Sequence, residues 1–140
     1  MKVLIDTNVV LDILLNRVPF YNSSAYIEVL AEAKIITGYI SASAITDIFF
    51  IAKGTLGKKS TKEALKNLLS VFKPATVTDN HIYQALNLDW DDFEDSVQYV
   101  VGEGFSANYI ITRNIDDYAS GSISVVTPEQ FIKIVAEETG

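Results

Sequence analysis

Asp6 ends the short apolar run Lys2–Ile5 and is followed at once by Thr7 and Asn8. Asp47 stands before Ile48-Phe49-Phe50-Ile51, Asp89–Asp95 reads DWDDFED, and Asn114 and Asp117 lie in the stretch from Thr112 to Tyr118. All of these are oxygen donors, and the chain offers them no thiolate and only one imidazole, His81. Hard oxygen ligands without His or Cys suit Mg²⁺ or Mn²⁺, which keep several waters and take one or two carboxylates directly. The acids of DWDDFED repel one another, a strain that a bound divalent cation relieves. Each residue also has an ordinary structural use. Asp6 can cap a helix, Asp47 can be a solvated acid in a first helical turn, and Asn114 and Asp117 can be turn and cap residues. Asp89 and Asp91 can be solvated loop residues, whereas Asp92 and Asp95, three apart, share a helix face.

The rest of the composition narrows the field. The chain has 140 residues, 49% of them hydrophobic, with a formal net charge of -7. That is the size of one domain, residues 1–140, with a core large enough to need no disulfide or structural metal. Without Cys there is no disulfide scaffold, no thiolate zinc and no cysteine nucleophile. The first ten residues lack the pattern of a secretory signal, and no apolar run approaches the roughly 20 residues that span a bilayer. The expected location is the cytoplasm, with no membrane contact. The acidic total argues against nucleic-acid binding by bulk charge.

These donors need a scaffold, and the hydrophobic pattern supplies one. Lys2–Ile5, Lys34–Ser41, Ala75–Thr78, Asn108–Thr112 and Ser122–Val126 read as strands, Gly38 interrupting the second. Helices are expected over Val9–Leu15, Tyr21–Ala33, Ser43–Ala52, Ser60–Phe72, Asn80–Leu88 and Phe93–Gly102, with a last one opened by Thr127-Pro128-Glu129. Ser60 and Glu63 match a capping box, Pro74 is a helix stop, and Gly54 and Gly57 close the helix before them. Strands alternating with helices imply right-handed crossovers, a parallel sheet of about five strands and a three-layer α/β/α sandwich. Ligands in such folds sit beyond the carboxyl ends of the strands, where the strand order reverses. Asp6 follows the first strand, Asn114 follows the fourth by two residues, and Asp47 and Asp95 lie in first helical turns, so one crevice can collect all four.

Asp6-Thr7-Asn8 after the first strand, an acid in the helix after the second, Asp92-Phe93-Glu94-Asp95 opening a helix, and Tyr109–Asn114 before Asp117-Tyr118 together resemble the PIN domain family. The resemblance spans nearly the whole chain. It implies a Mg²⁺- or Mn²⁺-dependent ribonuclease, and many prokaryotic members are toxins of VapBC-type toxin–antitoxin pairs. Asp6, Asp47, Asp95 and Asn114 match the four acidic positions of the family, and Asp92 matches an auxiliary acid of one branch. Two positions depart from the pattern. Asp47 stands where Glu is usual and reaches one methylene less far. Asn114 stands where Asp is frequent and lacks its charge, which Asp117 can restore if the loop folds back.

The resemblance implies metal-assisted hydrolysis of an RNA phosphodiester. In that scheme Asp6 and Asp95 hold the first metal, Asp47 orients or deprotonates the attacking water, and Asn114 anchors a second cation or the substrate. Thr7 and Thr112 hydrogen-bond carboxylates or phosphate, and Arg113 meets a phosphate as a fork donor. Basic residues gather where an RNA backbone needs them: Lys53, Lys58, Lys59, Lys62, Lys66 and Lys73 lie in a stretch with Glu63 as its one acid. An ordinary solvated helix face is the plainer account of these lysines. His81 is expected at a helix surface, and Trp90 in the core in preference to a base-stacking role. The Tyr21–Leu30 helix, with Val9, Val10 and Ile13, is a candidate face for a homodimer or an antitoxin, although core burial explains most of it. Two other classes stay open: a PIN-like RNA-binding or regulatory module that no longer cuts, and a receiver-like phosphoacceptor domain. The latter wants an acidic pair directly after the first strand and a lysine in the expected place after a final strand, and the chain has neither there.

Overall fold

In the computed structural model, which describes residues 1–118 and 121–139, five parallel strands form one sheet in the order β3-β2-β1-β4-β5. The strands are β1 (Lys2–Ile5), β2 (Thr37–Ser41), β3 (Lys73–Ala75), β4 (Tyr109–Ile111) and β5 (Ser124–Val126). The helices are α1 (Thr7–Leu14), α2 (Tyr21–Glu32), α3 (Ala42–Leu56), α4 (Lys58–Leu68), α5 (Asp79–Leu86), α6 (Phe93–Gly104) and α7 (Pro128–Thr139). A 3-10 turn, Ile115–Asp117, follows β4.

Both sheet faces are covered, which is why the central strands are apolar throughout instead of alternating. Val3 and Ile5 of β1 and Ile111 of β4 face a core completed by α1, α2, α3, α4 and α7. Leu4 and Ile110, one residue out of phase, face the opposite layer with Tyr99 of α6, and Ala85 of α5 packs there against Val97, Val100 and Val101. The result is the expected three-layer α/β/α sandwich. Among the described residues no helix is long and apolar enough to cross a membrane.

Local departures from the sequence pattern have local causes. Gly38 is needed within β2 because a Cβ there would lie 2.5 Å from the Phe72 ring. Residues 34–36 are spent closing α2, with the Lys34 and Ile35 amides bonded to Ala31 and Leu30, so β2 begins at Thr37. Ser60 caps no helix: Gly57, at φ 83°, ends α3 and turns straight into α4, leaving Ser60 inside it. Pro74 belongs to β3, an edge strand, where a missing ladder donor is tolerated. The true capping box is Thr78 with His81, whose Nδ1 accepts the Thr78 amide at 3.1 Å. Val9, Val10, Ile13 and Leu30 are buried in the core and offer no docking face, whereas Tyr26 and Val29 leave an exposed apolar side on α2.

The chain starts at β1 in the middle of the sheet, builds outward to β2 and β3, then returns to build β4 and β5 on the other side. The strand order therefore reverses between β1 and β4. Their ends are joined by the Asp6 amide, which donates to the Ile111 carbonyl at 2.9 Å. Residues 6–8 and 112–114 leave the sheet side by side at this point.

Candidate active site

Asp6 is buried and caps α1, its Oδ1 accepting the Thr7 amide at 2.7 Å. Capping uses one lone pair of one oxygen. The same Oδ1 accepts Gln98 Nε2 of α6 at 2.7 Å, and Oδ2 accepts the Thr112 hydroxyl at 2.7 Å and Asn8 Nδ2 at 3.5 Å. Because a carboxylate only accepts, the Gln98 amide must turn its NH₂ toward Asp6, which leaves its Oε1 buried without a partner. Thr7 Oγ1 is also buried without one, while the Tyr118 hydroxyl is turned toward the Asp6 carboxylate. Burial, with the Asp6 and Asp95 carboxylates beside it, pushes the Tyr118 hydroxyl far above its usual range, so it stays protonated.

A cleft of about 310 Å³ opens beside this carboxylate, lined by Trp90 and six acids: Asp89, Asp91, Asp92, Asp95, Asp116 and Asp117. Asp92 is the N-cap of α6, its Oδ1 accepting the Glu94 and Asp95 amides at 2.9 and 3.3 Å, which aims the first turn of α6 into the cleft. Asp95 is pushed up to about 7, first by burial and then by Asp6, Asp92, Asp117 and Glu94. Glu94 is raised by burial and then by Asp47, Asp92 and Asp6. Asp6, Asp95, Asp92 and Asp117 are thus brought together, with Asp47 on α3 facing Glu94 at one side. Among the described residues no three acids stand close enough to form a ready-made cation cage. Asp47 and Asn114 are exposed and do not line the cleft, and the Asn114 amide donates to Thr112 Oγ1 at 3.1 Å.

Arg113 is occupied elsewhere. Its Nε and Nη2 hold the two oxygens of Asp12 at 2.7 and 3.3 Å, and its guanidinium stacks 4.0 Å from the Phe20 ring centroid. Asp12 is fully buried on α1 and also meets Arg17 at 3.7 Å. The expected phosphate fork is therefore an internal ion pair that ties the loop after β4 to α1. Asn8 reinforces the tie, its Oδ1 accepting the Arg113 amide at 3.1 Å and its Nδ2 reaching Thr112 Oγ1 at 3.2 Å. Lys53, Lys58, Lys59 and Lys62 are exposed and none lines the cleft. Lys58, Lys62 and Lys66 run along the side of α4 away from its buried Thr61, Leu65 and Leu68. Trp90 packs on Tyr99 and Tyr118, with ring centroids 5.0 and 6.0 Å apart, as a wall between core and cleft.

Gln98 and Asp12 shape the site but had no place in the sequence reading, and Asn8 and Tyr118 entered it only as motif members with no role of their own. Two of them carry a visible signal. Gln98 is a lone polar residue in Val97–Val101, three after Asp95 and so on its face, and Asp12 is a lone charge in Val9–Leu15.

The fold and the cluster define an α/β domain with a carboxylate crevice at the strand-order reversal. Residues 2–116 match the PIN domain family, and the chain belongs to it. Solved structures share the fold at low identity. VapBC2 from Rickettsia felis, solved bound to a DNA fragment from its promoter, is 16% identical with a TM-score of 0.66, over 90% of this chain and 97% of that one. FitAcB from Neisseria gonorrhoeae is 17% identical with a TM-score of 0.64, over 91% and 98%. VapC20 from Mycobacterium tuberculosis, described as a Sarcin-Ricin loop cleaving toxin, is 15% identical with a TM-score of 0.62, over 77% and 86%. No curated protein matches this chain in sequence.

Proposed function

We propose that this chain is a Mg²⁺- or Mn²⁺-dependent endoribonuclease, the toxin of a type II toxin–antitoxin pair acting in the cytoplasm. The observation that carries the reading is a cleft lined by six acids, Asp92, Asp95 and Asp117 among them, with no basic side chain in its lining among the described residues. A donor set made wholly of oxygen, negative and short of positive charge, fits a hard divalent cation. The partnerless oxygens of Thr7 and Gln98 near Asp6 fit the ordered waters such an ion keeps.

Asp6 and Asp95 would hold the ion, with Asp92 and Asp117 beside them. A divalent ion supplies charge that makes water a stronger nucleophile at neutral pH and stabilises the leaving oxygen of a phosphodiester. Thr112 and Gln98 hold the Asp6 carboxylate in one orientation, and because Thr7 and Asn8 take its remaining lone-pair sites, a cation would displace one of these donors. Asp47, beside Glu94 but outside the cleft, would act on the attacking water only from its margin. Membership of the PIN domain family supports the chemistry. The likeness to VapC20, a Sarcin-Ricin loop cleaving toxin, supports RNA as substrate, and the likeness to VapBC2 and FitAcB supports an antitoxin partner.

Cleavage of a long RNA in Mn²⁺, with and without EDTA, comparing the wild type with Asp6→Asn, tests the reading. The expected result is cleavage that EDTA abolishes and that falls in Asp6→Asn by more than the roughly 10–100-fold typical of losing an outer partner of a metal ligand. Equal activity in the two proteins would sink it. A second reading, an RNA-binding module that does not cut, is favoured by one observation: Asp47 and Asn114 both stand outside the cleft. Metal-dependent RNA binding without cleavage is its signature.

A further inference from the structure

Arg113 is held at both its backbone and its side chain by one face of α1. Asn8 and Asp12 are four apart and so share that face. Asn8 Oδ1 accepts the Arg113 amide at 3.1 Å, and Asp12 takes the guanidinium with both oxygens, at 2.7 and 3.3 Å. The Phe20 ring, its centroid 4.0 Å from the guanidinium carbon, restricts the fork further. The residues on either side of Arg113 belong to the site. Thr112 gives its hydroxyl to Asp6 Oδ2 at 2.7 Å. Asn114 opens the turn in which its carbonyl accepts the Asp117 amide at 3.0 Å, and Asp117 lines the cleft. Asp12, by contrast, is fully buried and does not line the cleft.

A buried ion pair adds little net stability over apolar side chains of similar volume. What it adds is direction, because a planar guanidinium meets a carboxylate through a rigid fork. We infer that Asp12 is a positioning residue: through the Arg113 fork it fixes the loop from Thr112 to Asp117 against α1, and so sets Thr112 and Asp117 for the cation of the cleft, an inference that rests on the metal-dependent reading. Asp12 acts through Arg113 and touches neither the ion nor RNA. Helix α1 thus presents a ligand, Asp6, at its N-cap and from its second turn fixes the loop that orients that ligand.

The test replaces the pair as a whole. Arg113→Met alone strands a buried carboxylate and lowers every readout through unfolding, whereas Asp12→Leu combined with Arg113→Met leaves no buried charge behind. This double variant is expected to unfold in urea, in EDTA, near the wild-type midpoint. Its Mn²⁺ affinity by calorimetry should still fall roughly 10-fold, the lower end of the range for losing an outer partner of a metal ligand. Amide hydrogen exchange in EDTA, followed by mass spectrometry, should quicken in peptides covering residues 112–117 and stay slow in β1 and β2. Should the double variant be unstable, Arg113→Lys keeps a charge on Asp12 and loses the fork, and the same two changes are expected at smaller size. Wild-type Mn²⁺ affinity, or unchanged exchange over residues 112–117, in the stable variant overturns the inference and leaves the pair structural only. A wild-type protein that binds no Mn²⁺ sinks the metal reading; quickened exchange in the variant then still upholds Asp12 as the residue that fixes the loop, and unchanged exchange overturns it.

Discussion

Asp12 on α1 and Asp95 on α6 are carboxylates withdrawn from water, and they are handled in opposite ways. Asp12 is fully buried but meets two guanidiniums, one of them bidentate and stacked on Phe20. Asp95 is only half buried, yet it faces Asp6, Asp92, Asp117 and Glu94 and is pushed up to about 7. A buried charge is tolerable when paired and hydrogen-bonded. The chain meets that condition at Asp12 with its own side chains and leaves it unmet at Asp95. One cluster is complete within the chain; the other is the one that the proposed cation would complete.

The contrast predicts opposite signs for neutralising the two clusters. Arg113→Met removes the main partner of a fully buried carboxylate and should destabilise the protein by about 3 kcal/mol, as for other broken buried pairs. Asp95→Asn should leave the metal-free protein as stable or more so, because it removes repulsion. Urea unfolding in EDTA measures both, and destabilisation of similar size in the two variants would erase the distinction.

A smaller effect is expected at Gln98, which touches Asp6 and lies within the buried stretch of α6. Gln98→Leu keeps the volume and removes the donor. Mn²⁺ affinity by calorimetry should fall roughly 10–100-fold, the usual cost of losing a partner that orients a metal ligand, while Gln98→Glu places a second carboxylate against Asp6. Affinity equal to the wild type in Gln98→Leu would make Gln98 a packing residue only.

The smallest effect is a pH dependence. Asp95 binds its proton more tightly in the folded state than in the unfolded chain. Between the ordinary carboxylate range and about pH 7 the native state therefore holds the extra proton, and stability falls as pH rises through that window. Metal must displace the same proton, so added Mn²⁺ should raise the melting temperature more at pH 8 than at pH 5.5. A metal-induced shift that is flat across that range would show that Asp95 is not a ligand.

Much of this was legible beforehand because it follows from local rules. The strand Lys2–Ile5 matches its expected bounds, since a buried apolar run ending at a helix-capping Asp has few alternatives. The opening of α7 at Pro128 is equally local. The Ser60 capping box failed because Gly57 turned the chain first, and the Ala75–Thr78 strand shifted because pairing with β2 selects Lys73–Ala75. At the site, types and order pointed to Asp6, Asp92 and Asp95. Arg113 was misjudged because its partner Asp12 lies 101 positions away in the chain.

By itself the sequence determined the chemistry available: oxygen ligands without thiolate, acids at the ends of apolar strands, and a hydrophobic period that permits a three-layer parallel sheet. Only the tertiary structure decided which acids are left unneutralised. Neutralisation depends on side chains brought together from distant segments, as Gln98 and Thr112 are on Asp6 and Arg113 is on Asp12, and electrostatic coupling follows distance in space and burial, not position along the chain.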